Sequence, residues 1–86
     1  MLGNLKNFFK DYSREFASWS QQVPIDTPIE AVKGQLPFYA KVDWQNPEPL
    51  GKGVIYPVTW IKGQRIRTKR YLCFVDELYS GSIIKG

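Results

Sequence analysis

Histidine is missing from the sequence altogether, which removes the usual acid or base of neutral-pH catalysis and the imidazole ligands of most transition-metal sites. Cysteine occurs once, at Cys73, so no disulfide can form within the chain. In the apolar run Tyr71–Val75 that thiol reads as a small core hydrophobe rather than a reactive group. Long apolar stretches are also lacking: the longest has five residues, against about 20 for a membrane-spanning helix. No basic start leads into an apolar secretion segment. These absences place the expected location in the cytoplasm or an equivalent reducing compartment.

Acidic residues are missing from one long stretch, between Pro49 and Val75. Charges balance up to Asp43, and the whole net charge of +4 comes from the remainder, where seven Lys and Arg face Glu48, Asp76 and Glu77. Five of the seven, Lys62, Arg65, Arg67, Lys69 and Arg70, fall within nine consecutive positions. A field of one sign without neutralising sequence neighbours asks for water or for an oppositely charged surface.

At 86 residues the chain is one domain, 1–86, since two cores would each be too small to fold unaided. Aromatics make up 15% of it, and their large buried areas let so short a chain build a core without metal. Leu2, Leu5, Phe9, Tyr12, Phe16 and Trp19 recur at spacings of three and four, which predicts an amphipathic helix within residues 1–22, from about Asn4 to Gln21, stopped by Val23-Pro24. Residues 27–34 predict a short capped turn of helix, with Thr27 as N-cap, Pro28 in the first position, Glu30 reaching back and Gly34 closing it.

From Leu36 the period becomes two, with Phe38, Ala40, Val42 and Trp44 on one face and Tyr39, Lys41 and Asp43 on the other. Residues 45–53 read as a polar loop, 54–61 as a strand held at an edge or bulge by Pro57, 65–75 as its hairpin partner, and Ser82–Lys85 as a last strand. One helix followed by so few antiparallel strands predicts an α+β, mainly β fold over 36–86: a small SH3-like or OB-like barrel.

Hairpin register decides which side chains share a face. A three-residue turn at Lys62, Gly63 and Gln64 sets Val54 across from Leu72 and Trp60 across from Ile66. A two-residue turn sets Tyr56 across from Lys69 and Trp60 across from Arg65. Either way Arg65, Arg67 and Lys69 share one side of a strand, with Lys62, Trp60, Tyr56 and Tyr71 near them. Three such cations are too costly to bury. The row therefore reads as a docking face for an acidic protein or larger complex, as a groove for single-stranded nucleic acid, or as a solvated row that keeps an exposed edge from pairing.

No catalytic constellation and no metal or cofactor site emerges. The eight carboxylates form no acid/base pair, and "LGKG" (50–53) lacks the rest of a phosphate loop. The chain reads as a non-catalytic binding or accessory module. Leu2, Leu5, Phe8 and Phe9, flanked by Lys6 and Lys10, offer a further possibility, an interfacial patch for a membrane surface or a partner's groove.

Overall fold

The computed structural model describes residues 10–65 and 69–85. The first described helix, α1 (Tyr12–Gln22), is preceded by Lys10 and Asp11, which are not helical although they fall within the helix expected from about Asn4 to Gln21; residues 4–9 of that expectation lie outside the described residues. Asp11 is its N-cap: the side chain accepts from the Arg14 amide at 3.1 Å and the carbonyl from Glu15 at 3.0 Å. A capping carboxylate that serves the new first turn competes with helix continuation through its own position. The buried stripe is as expected where it is described, with Phe16 fully buried and Tyr12 and Trp19 packed beside it. The helix stops at Val23-Pro24.

The second helix, α2 (Ile29–Gln35), is displaced from the expected capped turn. Pro28 is the N-cap in an extended conformation, Gly34 lies inside the helix, and Glu30 pairs with Lys33 at 3.6 Å instead of reaching back. Thr27 cannot cap because it is committed elsewhere. Its carbonyl accepts from the Tyr79 amide at 2.8 Å, and its hydroxyl donates to the Pro24 carbonyl at 2.7 Å.

Five strands follow: β1 (Ala40–Val42), β2 (Glu48–Leu50), β3 (Gly53–Ile61), β4 (Lys69–Val75) and β5 (Leu78–Lys85). Their pairings are antiparallel, in the order β1-β3-β4-β5 with β2 also on β3, and the sheet is not closed. The first strand is shorter than expected, because the Ala40 amide turns back to the Pro37 carbonyl at 3.2 Å and leaves Phe38 76% exposed. The polar loop contains β2, whose hairpin into β3 turns through Gly51 at φ 57°. Gly53 then passes so close to β4 that a Cβ there would lie 2.5 Å from the Phe74 carbonyl oxygen.

Pro57 occupies a central strand at the one place where its missing N–H is harmless. β3 pairs with β2 before it and with β1 after it, and its carbonyl accepts from Asp43 at 2.9 Å. A bulge at Thr59 accompanies this change of neighbour. The β3–β4 register sets Val54 across from Phe74, Tyr56 from Leu72 and Pro57 from Tyr71. That is two residues away from the three-residue-turn alternative, so the same side chains keep the same face. β5 starts four residues before the expected Ser82, after a two-residue turn in which Asp76 and Glu77 both have positive φ.

One face of the sheet carries the core. Val58, Ile61, Leu72, Phe74 and Tyr79 pack with Phe16, Val23 and Val32 of the helical side. Trp44, Tyr56 and Phe74 add a tilted aromatic group with centroids 5.1–6.1 Å apart.

Candidate binding face

The opposite face is the candidate site. Cross-strand pairing sets Lys41 of β1 beside Trp60 of β3, and the ammonium lies 5.2 Å from the centre of the indole. Trp60 is 39% exposed while its chain neighbour Ile61 is buried in the core. Farther along, Lys69 of β4 and Lys85 of β5 are direct partners, and Lys85 lies 5.7 Å over the Tyr71 ring. Tyr71 is itself buried, across from Pro57 and Ile83. Burial raises its phenol above the ordinary value, and the negative charge of neighbouring Glu48 pushes it the same way. Burial likewise raises the thiol of Cys73 on this face.

An open cleft of about 410 Å³ lies beside these groups, lined by Glu48, Pro57, Thr59, Lys69, Arg70 and Tyr71. At the end of the sheet Lys62 lies between two rings, 5.9 Å from Tyr12 and 5.7 Å from Phe38. Among the described residues the ion pairs are Lys10–Glu15 and Lys33–Glu30, both away from this face.

Of the residues expected to bind, Trp60, Lys69 and Tyr71 lie on the outer face, with Lys62 at its end. Tyr56 is turned into the core against Trp44 and Phe74. Arg65 is exposed and lies in no strand, and residues 66–68, which separate it from β4, lie outside the described residues. Arg67 lies outside the described residues, as do Leu2, Leu5, Phe8 and Phe9.

Lys41, Lys85 and Glu48 were absent from that set. Lys41 had a sequence signal, its place on the polar side of a period-two run. Lys85 and Glu48 had none, since both reach the face through pairings that only the register decides. No protein-family model, curated protein or solved structure matches this chain.

Proposed function

We propose that this protein is a non-catalytic binding or accessory module that docks an acidic protein partner on the outer face of its sheet. The observation that carries this reading is that Lys41, Lys62 and Lys85 rest on aromatic rings rather than on carboxylates. A cation over a ring is held in place while its charge remains available to an incoming anion. Charge complementarity of this kind speeds encounter and sets specificity. The change of neighbour at Pro57 and the bulge at Thr59 support reading the open sheet as a partly open barrel of SH3-like or OB-like type.

Protein is favoured over single-stranded nucleic acid because Tyr56 and Tyr71, two of the expected stacking platforms, are not open to a base. The nucleic-acid reading keeps one support, the exposed rings of Trp60 and Phe38 near Lys41 and Lys62 at one end of the sheet. A triple variant, Lys41→Ser, Lys69→Ser and Lys85→Ser, tests both. Binding of an acidic polypeptide such as poly-glutamate, measured by fluorescence anisotropy, is expected for the native protein and not for the variant. Equal binding by both proteins overturns the face. Stronger binding of unrelated single-stranded oligonucleotides, weakening with salt at a log–log slope of about −2 for three phosphate contacts, selects the second reading.

A further inference from the structure

β5 is the last strand of the sheet, and its two halves are bordered differently. Against the first half lies the segment that leads into α2. The Asp26 amide donates to the Tyr79 carbonyl at 2.9 Å, the Tyr79 amide to Thr27 at 2.8 Å, and the Ile29 amide to Glu77 at 2.9 Å. Tyr79, Ser82 and Ile84 face Phe74, Leu72 and Arg70, alternate residues of β4. Hydrogen-bond direction alternates along an antiparallel strand, so the backbone groups of Ser82 and Ile84 point out of the sheet as those of Tyr79 do. Among the described residues no backbone group pairs with them. Proteins commonly guard such an edge with charge or proline. Gly81–Ile84 has neither, the one charge of this half being Lys85 at the end of the strand, and Ile84 is 56% exposed.

We propose that this open edge, Gly81 to Lys85, takes an extended acidic segment of the partner protein as an added strand. The inference rests on the reading that the partner is an acidic protein, and it names how that partner is held. Two observations select the occupant. Lys69 and Lys85 stand directly opposite one another on the outer face, and like charges so placed destabilise a sheet. A carboxylate on the added strand beside Lys85 offsets that repulsion. The other face of the same edge presents the apolar side chain of Ile84, and a groove of about 410 Å³ borders the neighbouring residues Gly81 and Ser82, lined also by Ser20, Pro24 and Ile25. An added strand that alternates acidic with apolar residues meets both faces, since successive side chains of a strand point to opposite sides. A second copy of this chain is disfavoured as occupant because it carries the same net charge of +4.

The probe is a fluorescein-labelled peptide of about six residues, a common strand length, alternating Val and Glu, with a Val/Lys peptide as control. Native protein is expected to bind the first and not the second. Ile84→Pro removes an outward amide donor and is expected to weaken binding up to about tenfold, the loss of one hydrogen bond. Lys85→Glu leaves the backbone unchanged and is expected to reverse the preference toward Val/Lys. Undiminished Val/Glu binding by both variants overturns the added strand. If the same binding is then lost in Lys41→Ser with Lys69→Ser, the acidic-partner reading survives with its contact elsewhere on the face. Absence of Val/Glu binding alongside retained poly-glutamate binding has the same meaning, whereas absence of both fails the parent reading. Concentration-dependent dimerisation that Ile84→Pro abolishes overturns the choice of occupant.

Discussion

Beyond its backbone bonds to Asp26 and Thr27, Tyr79 ties α1 to the sheet through its hydroxyl. Its hydroxyl donates to the Ser20 carbonyl at 2.5 Å, and the Ser20 hydroxyl in turn meets Ser82 at 3.0 Å. Tyr79→Phe leaves a buried carbonyl without its donor, and is expected to cost about 1–2 kcal/mol in urea unfolding. The phenols of Tyr39, Tyr71 and Tyr79 are all raised above 10.0, each chiefly by burial. A raised folded-state value favours the neutral form, so this stabilisation is complete below the unfolded value near 10 and is lost as pH rises through the folded values. The urea midpoint should therefore show no tyrosine-linked change from neutral pH to about pH 9, then fall. Tyr79→Phe should make that fall shallower. A midpoint that rises above pH 10 contradicts the assignment. Phe9 and Phe16 were both placed on the buried stripe by spacing, and only the second falls on a described residue. Phe38 shows the limit of spacing, because a turn at Pro37 outweighs its alternation.

Element ends obey local chemistry more closely than periodicity. Asp11→Ala removes the cap of α1 and is expected to cost about 1 kcal/mol. The turn Asp76–Glu77 holds two residues at φ 53° and 63°, a conformation that costs side chains free energy and that Gly adopts readily. Glu77→Gly is expected to raise stability by about 0.5–1 kcal/mol in thermal or urea unfolding, since the Glu77 carbonyl that receives Ile29 is retained. Types of element were legible in the sequence: an amphipathic helix, a second short helix, then strands. Their limits were less so. β2 hid among Pro, Asn and Gly because its pairing comes from β3 rather than from its own propensity, and Thr27 resembled a cap until the demands of Tyr79 were known.

At the scale of the whole molecule one apolar cluster joins both helices to the sheet, so unfolding should be a single cooperative step. Phe16→Ala is expected to cost about 3–5 kcal/mol, a large share of the stability of a domain this size, and to lower the melting midpoint without splitting the transition. The candidate face was legible in part. The charge asymmetry pointed to the second half of the chain, and Trp60, Lys69 and Tyr71 do share a side. What was missing was register, because two strands that turn at Gly63 can pair in several offsets, and each offset brings different cations together. Lys85 joins Lys69 through a second register, that of β4 with β5 across the Asp76–Glu77 turn and the bulge that follows it.

β3 belongs to both parts of the sheet, bordered by β2 and β4 before Pro57 and by β1 after it. Neither part can separate from the other while that strand is intact. Its amides should accordingly be the last to trade their protons for deuterium, on the timescale of global unfolding, with the outer half of β5 exchanging far sooner. A partner lying along that outer half would slow exchange there and leave the central strand unchanged.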